Sequence, residues 1–344
     1  MARPPPRIAW RDPGAEQNRG QLDERIRAGR PLRRVAISAR LRALTPPGEE
    51  TIRTVEMKEF QGRVAVITGA ASGIGFALAE RAGRERMTVV LSDVEQGALE
   101  RATATLGERG YNVRPYRVDV RHEAEVEKMA EWVFAELGAV HLLCNNAGVI
   151  APERAAWEHT SADWEWVLGV NLWGVIHGVH AFVPRMLASG EEGHIVNTAS
   201  MAGLVTGRIG NATYDASKHA VLALSESLYR DLVVRQTRVS ASVLCPGAVR
   251  TNIFAAERNR PPELGGASAD ATAGATAFPG DSFTPDDMAD QVFSAVREDR
   301  FYILAAQTEM FEWTKMGHDR MWEGRNPAVP HRLLAARNAG QGPG

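Results

Sequence analysis

The chain has 344 residues, of which 44% are hydrophobic and 24% are charged, a composition typical of globular proteins. Its formal net charge of -2 offers no basic excess for nucleic acid or an anionic membrane, and we expect neither as a partner. Cys144 and Cys245 each end an apolar run and cannot build a disulfide framework, which indicates reduced thiols and a cytoplasmic protein.

The first 56 residues differ in composition from the rest of the chain. They contain twelve Arg, no Lys and seven acidic residues, which gives them a net charge of +5 and leaves -7 for the remainder. The segment is rich in Pro and Arg and has little apolar periodicity, so we expect a disordered extension or sequence upstream of a true start at Met57.

Short β-branched runs alternate with helix-length segments from Arg63 onwards. The predicted strands are Val64–Thr68, Thr88–Ser92, Val113–Val118, Val140–Cys144, His194–Thr198 and Val239–Leu244, each expected to be buried on both faces. The predicted helices between them are Ile74–Arg86, Gln96–Arg109, Glu123–Leu137, Ser161–Ala188 and Tyr214–Arg235. This alternation predicts an α/β doubly wound parallel sheet, a three-layer αβα Rossmann fold in a single domain over residues 57–305. A last strand, Phe301–Leu304, precedes a C-terminal helix, Glu309–Trp322, within a helix and tail over residues 306–344.

A glycine-rich turn joins the first predicted strand to the first predicted helix, with the sequence Thr68-Gly69-Ala70-Ala71-Ser72-Gly73-Ile74-Gly75. Glycines at such a point let the backbone approach a pyrophosphate and aim helix N-terminal amides at it. On this basis we assign cofactor-binding roles to Gly69, Ser72, Gly73, Ile74 and Gly75. The spacing departs from the usual dinucleotide fingerprint, so the turn alone is also compatible with a simple tight turn.

Asp93 ends the second predicted strand about twenty residues after the glycines. A carboxylate there accepts hydrogen bonds from the ribose hydroxyls of adenosine and repels a 2′-phosphate. Neither Ser72 nor Val94 supplies a cation for such a phosphate. The pattern therefore favours NAD(H), with NADP(H) still open because a strand-end Asp also serves as a helix N-cap.

Further motifs occur in a fixed order between Phe60 and about Leu304. They are Thr68-Gly69-x-x-x-Gly73-x-Gly75, Asp119, Asn145-Asn146-Ala147-Gly148, Asn171, Ser200, Tyr214-x-x-x-Lys218, and Pro246-Gly247 followed by Thr251. In this order they resemble the short-chain dehydrogenase/reductase family. The resemblance implies a hydride transfer between NAD(P)(H) and an alcohol or ketone.

Tyr214 and Lys218 lie four residues apart, and therefore on one face of the predicted helix. A free tyrosine is a poor base at neutral pH, but an ammonium about 5 Å away stabilises the phenolate by about 3 kcal/mol at an effective dielectric of about 20. Tyr214 is thus the expected general acid/base. Ser200 ends the fifth predicted strand at the carboxyl edge of the sheet, where its hydroxyl can hold the substrate oxygen. The family resemblance places Asn171 in a water-mediated proton relay from Lys218.

The resemblance also completes the expected cofactor site. It places Asp119 at the adenine amino group, and Asn146, Ala147 and Gly148 in a wall beside the adenosine. The remaining expected contacts, which include the nicotinamide carboxamide and the phosphates, are Val120, Tyr214, Lys218, Pro246, Gly247, Val249 and Thr251. We assign no residue to a metal.

The sequence after Thr251 is rich in Ala and Gly and has no clear periodicity, which predicts a substrate lid over residues 251–284. We expect a small, hydrophobic alcohol or ketone as substrate, and the resemblance implies a homodimer or homotetramer. Two other functions remain open: an NADP(H)-dependent ketone reductase, and a non-catalytic regulatory protein that senses a dinucleotide. The catalytic residues argue against the sensor, because sensing needs none of them.

Overall fold

Seven parallel strands form the central sheet of the computed structural model, which describes residues 57–205, 210–267 and 282–329. The strands are β1 (Val64–Thr68), β2 (Thr88–Asp93), β3 (Val113–Arg117), β4 (Leu142–Asn145), β5 (Gly193–Thr198), β6 (Val239–Pro246) and β7 (Tyr302–Ala305). Their order is β3-β2-β1-β4-β5-β6-β7, so the winding direction reverses between β1 and β4. In such sheets ligands bind at the carboxyl ends of the strands beside this reversal.

Helices cover both faces of the sheet. They are α1 (Gly73–Arg84), α2 (Gln96–Glu108), α3 (Glu123–Leu137), α4 (Ser161–Leu168), α5 (Gly174–Ser189), α6 (Ala212–Val234), α7 (Pro285–Arg297) and α8 (Thr308–Trp322). One apolar core lies between the sheet and α1, α2 and α7, and a second lies between the sheet and α3, α5 and α6. The expected doubly wound, three-layer Rossmann fold is therefore confirmed.

The first described residues belong to the folded core. Met57 and Phe60 are buried, and the Phe60 ring lies 5.0 Å from the ring of Phe293 on α7 and 4.7 Å from the guanidinium carbon of Arg297. The predicted extension, residues 1–56, lies outside the described residues.

Strand β3 differs from its prediction. Its side chains are exposed or half-buried from Val113 to Arg117, so the expectation of burial on both faces is wrong for this strand. The reason is its place at the edge of the sheet, where only β2 pairs with it. Strand order is a property of the assembled sheet, and the β-branched composition of one segment does not reveal it.

The predicted helix Ser161–Ala188 is interrupted. A π-helical turn, Gly169–Trp173, separates α4 from α5 within one continuous helical stretch. By length and composition alone this stretch, Ser161–Ser189, is apolar enough to cross a membrane, but 56% of its most apolar window is buried inside the protein. Its buried apolar side chains, which include Trp166, Val167, Phe182 and Val183, belong to apolar clusters inside the folded protein.

Helix α7 was not among the predicted elements. It carries buried Met288, Val292, Phe293 and Val296, and a reciprocal capping box between Thr284 and Asp287 marks its start. The spacing Thr-Pro-Asp-Asp before an apolar pattern is the sequence signal that identifies such a helix.

Candidate active site

A cavity of about 910 Å³ opens at the carboxyl ends of the strands. The sequence-predicted residues that line it are Gly69, Ser72, Gly73, Ile74, Asp93, Asp119, Val120, Asn146, Ala147, Gly148, Ser200, Tyr214, Lys218, Pro246, Gly247, Val249 and Thr251. Two predicted residues, Gly75 and Asn171, lie behind the lining instead. Residues as far apart in the chain as Gly69 and Thr251 therefore meet in one site.

The glycine-rich turn forms a cradle at the start of α1. Gly69 and Gly73 have positive φ values of 66° and 54°, which favour glycine. A Cβ atom at Gly75 would lie 2.1 Å from the carbonyl oxygen of Gly69, so this position admits only glycine. Helix α1 begins at Gly73 with no side-chain cap from Ser72 and no acidic residue in its first turn. This geometry fits the pyrophosphate of a dinucleotide, because the amides at the helix N-terminus favour an anion.

Thr68 joins the cradle to the segment after β4. Its hydroxyl oxygen accepts hydrogen bonds from the backbone amides of Asn146 and Ala147, at 2.9 and 3.1 Å. The side-chain amide of Asn146 donates to the carbonyl of Thr68 at 3.0 Å. The wall expected beside the adenosine is therefore fixed to the end of β1.

Asp93 connects the end of β2 to the same turn. One carboxylate oxygen accepts from the backbone amide of Ala71 and the other from that of Glu95, both at 3.0 Å. Burial raises the pKa of the Asp93 carboxyl, and the two backbone hydrogen bonds oppose that rise. The carboxylate also lines the cavity.

Arginines contact the acidic residues at this end of the cavity. Arg121 forms a two-pronged ion pair with Asp119, with distances of 2.7 to 3.2 Å, and this pairing lowers the pKa of the carboxyl against the effect of burial. Arg258 donates to Glu95 at 2.7 Å, and Asn259 contacts the same oxygen at 2.7 Å. Arg258 was not among the sequence-predicted residues, because its partner Glu95 lies 163 positions away along the chain.

Helix α6 carries the central pair of the catalytic end. The Lys218 Nζ lies 5.6 Å from the centre of the Tyr214 ring and donates to the carbonyl oxygen of Thr198 at 2.9 Å. Lys218 is 2% exposed, and burial lowers its pKa from 10.5 to about 8. At neutral pH the ammonium form therefore still outnumbers the amine by about ten to one.

Ser200 follows β5 and begins a short 3-10 turn, Met201–Gly203. Its hydroxyl oxygen accepts from the backbone amide of Ala202 at 3.1 Å, and the hydroxyl donates to the carbonyl of Pro246 at 3.4 Å. Ser200 is half-buried and lines the same cavity as Tyr214. The long contact to Pro246 is weak, which leaves the hydroxyl able to turn towards a substrate oxygen.

Asn171 lies in the π-helical turn and is fully buried. Its side-chain oxygen accepts from the amide of Val149 at 2.8 Å, and its amide nitrogen donates to the Val149 carbonyl at 2.9 Å and to the Ser217 hydroxyl at 3.0 Å. A Cβ atom at Gly148 would lie 3.5 Å from Asn171 Oδ1 and 3.6 Å from Lys218 Nζ. Glycine at this position therefore leaves a gap between the two polar groups.

The described part of the predicted lid consists of two 3-10 turns, Ile253–Asn259 and Pro262–Leu264. Ala256 and Leu264 pack in an apolar cluster with Trp166, and Arg260 donates to Asp163 at 2.6 Å. Hydrogen bonds of Ala248 and Arg250 with Phe283 join the ends of the segment. Residues 268–281 of the predicted lid lie outside the described residues.

Helix α8 reaches the cavity from the C-terminal side. Glu309, Met310 and Trp313 line it, together with Val205 and Phe254 from elsewhere in the chain. The Met-rich and aromatic composition of this helix was a sequence signal for such a role.

Comparisons with known proteins agree with this geometry. The family model described as short chain dehydrogenase matches residues 63–262. The chain is 38% identical over 282 residues to 1-deoxy-11-beta-hydroxypentalenate dehydrogenase of Streptomyces avermitilis, covering 78% of this chain and 97% of that protein.

Solved structures give the same result. A short-chain dehydrogenase/reductase from Burkholderia phymatum in complex with NAD is 43% identical, with a TM-score of 0.75, and the match covers 80% of this chain and 99% of that one. A metagenomic short-chain oxidoreductase in complex with NADP is 28% identical, with a TM-score of 0.58, covering 72% of this chain and 98% of that one. Fold, site and relatives therefore show that the chain belongs to the short-chain dehydrogenase/reductase family, whose members are NAD(P)-dependent oxidoreductases of hydroxyl and keto compounds.

Proposed function

We propose that this protein transfers a hydride between NAD(H) and a secondary alcohol or ketone, with Tyr214 exchanging a proton with the substrate oxygen. The observation that carries the proposal is the pairing on α6, where the buried Lys218 ammonium lies 5.6 Å from the Tyr214 ring within a cavity that also contains Ser200. A bound nicotinamide cofactor would supply or accept the hydride.

Lys218 stabilises negative charge on the Tyr214 oxygen. Burial makes this interaction stronger than it is in water, because the surrounding medium screens the charge poorly. The carbonyl of Thr198 fixes the amine by a hydrogen bond of 2.9 Å, so the cation does not need to be ordered during the reaction. Ser200 donates a hydrogen bond to the substrate oxygen and orients it towards Tyr214.

Asn171 is proposed to maintain the proton route from Lys218 to solvent. Its side chain is held by three hydrogen bonds and faces the gap at Gly148 that also borders the Lys218 amine. A water in that gap would bridge the two groups and link Lys218 to solvent in the proton relay.

The preference for NAD(H) is part of the proposal. Asp93 supports it, because its carboxylate borders the adenosine end of the cavity and would repel a 2′-phosphate. The nearby Arg258 already pairs with the carboxylate of Glu95, which would compete with a 2′-phosphate for this cation. Asp93→Ala should reduce the ratio of NADH to NADPH efficiency, whereas an unchanged ratio would contradict the assignment.

Replacing Tyr214 by Phe tests the proposed chemistry. We expect kcat for ketone reduction to fall about 100- to 10,000-fold, because the proton donor is removed. NADH affinity, measured by fluorescence titration, should change much less. A Phe variant that reduces ketones at the parent rate would refute the proposal, and cofactor binding without turnover of any alcohol or ketone would favour the sensor function instead.

We further propose that the segment over residues 251–284 is a lid. Its support is the apolar packing of Ala256 and Leu264 and the ion pairs of Arg258 and Arg260 with residues outside the lid. A small hydrophobic substrate, a homo-oligomer and a cytoplasmic location complete the proposal. Both cysteines are buried free thiols, as a reducing compartment requires.

A further inference from the structure

Asn211 places a buried side-chain oxygen, Oδ1, at the start of the helix that carries the proposed proton donor. It is the N-cap residue of α6, three positions before Tyr214, and it is 2% exposed and lines the cavity. Asn is among the preferred N-cap residues, yet this side chain makes no capping hydrogen bond. Its buried Oδ1 has no hydrogen-bond partner among the described residues. Buried amide oxygens are normally paired, so the exception calls for a ligand.

The backbone around Asn211 is held in place on both sides. The carbonyl of Gly210 accepts from the Arg154 amide at 3.0 Å and lies 3.1 Å from Nε2 of buried His159. The carbonyl of Asn211 itself accepts from the Asp215 amide at 2.9 Å. The side chain therefore projects from a fixed point, as a binding group requires.

The position of Asn211 relative to Tyr214 determines which part of a bound substrate the Asn211 side chain can contact. Residues three apart at a helix start lie on the same face, with Cβ atoms about 5–6 Å apart. We therefore expect a substrate whose reacting oxygen meets Tyr214 to place its neighbouring carbons towards Asn211. Apolar Val205, Phe254 and Met310 also line this cavity.

We propose that Asn211 binds a second oxygen of the substrate, so that the preferred substrate class is an apolar ketone or alcohol with a hydroxyl close to the reacting carbon. This inference rests on the proposed oxidoreductase function and refines its substrate class. A hydroxyl both donates and accepts, and so it can satisfy either end of the amide. A substrate without it leaves the buried Asn211 Oδ1 unpaired, which is the basis for discrimination.

Matched ketones test the inference with the full-length protein and NADH. The panel is cyclohexanone, acetophenone and α-tetralone, each beside its α-hydroxy analogue. We expect the wild-type protein to favour the hydroxy analogues by about tenfold in kcat/KM, the effect of one hydrogen bond. Asn211→Ala should abolish that preference, and Asn211→Asp, which keeps an acceptor, should retain it in part.

Two controls separate binding from folding. Asn112→Ala changes an exposed Asn that is bonded to Thr88 outside the cavity, and it should leave the preference as in the wild type. NADH affinity in the Asn211 variants should equal that of the wild type, since a structural defect would lower it.

Two outcomes would contradict the inference, and they differ in what they imply for the function. If Asn211→Ala reduces both members of each pair with the wild-type ratio, or if the wild type shows no preference, Asn211 has no such role while the proposed function stands. If the wild type binds NADH but reduces no ketone and oxidises no alcohol, the proposed function fails and the inference fails with it.

Discussion

Replacing Lys218 by Met should change the pH dependence of stability in a way that follows from the burial of this lysine. Burial lowers the Lys218 pKa from 10.5 to about 8, so the folded protein holds the proton less tightly than the unfolded chain does. The resulting penalty on folding is fully present below about pH 8 and disappears as the pH rises through 10.5. At neutral pH it amounts to about 3 kcal/mol.

The Met variant lacks this titration. It also leaves the carbonyl of Thr198 without its 2.9 Å partner, at a pH-independent cost of about 1–3 kcal/mol. The quantity to compare is therefore the change with pH. Between about pH 8 and about pH 10 the unfolding free energy of the wild type should rise by about 2 kcal/mol relative to that of Lys218→Met.

Urea denaturation of the cofactor-free protein across this pH range measures the difference. Lys128→Met, which removes a solvent-exposed lysine on α3, is the matched control, and its curve should run parallel to that of the wild type. Parallel curves for the wild type and Lys218→Met would show that burial does not lower the pKa of Lys218 in the folded protein.

Three further variants examine the cradle, helix α2 and the lid. Gly75→Ala places a Cβ atom 2.1 Å from the Gly69 carbonyl, so thermal denaturation should show a loss of about 1–3 kcal/mol together with weaker NADH binding. A Cβ atom at Gly107 would have no neighbour within 4 Å, so Gly107→Ala should stabilise α2 by about 0.5–1 kcal/mol. Glu95→Gln removes the partner of Arg258, and we expect a severalfold higher substrate KM with less than about 1 kcal/mol of lost stability; an unchanged KM would argue against a closed lid.

The local motifs could be predicted from the sequence because they depend on the spacing of residues that are close together in the chain. Tyr214 and Lys218 are one helical turn apart in any α-helix, and a glycine-rich turn after a strand can be recognised from the chain itself. Strands β1, β5 and β6 were found because buried parallel strands are continuous apolar runs.

Other features could not be predicted from the sequence, and the reasons are again physical. The π-helical turn around Asn171 belongs to a stretch whose apolar pattern is that of an ordinary helix, and packing decides where it widens. Exposure of β3 follows from the strand order, which separate segments do not encode.

By itself the sequence determined the fold class, the direction of the sheet and the identity of the groups suited to proton transfer, because helical and strand periodicity act over a few residues. Only the tertiary structure decided which distant groups meet. It brought Arg258 to Glu95, buried Lys218 against Thr198 and left Asn211 Oδ1 without a hydrogen-bond partner among the described residues. Such pairings depend on how elements separated by tens of residues pack together, and no local pattern specifies that packing.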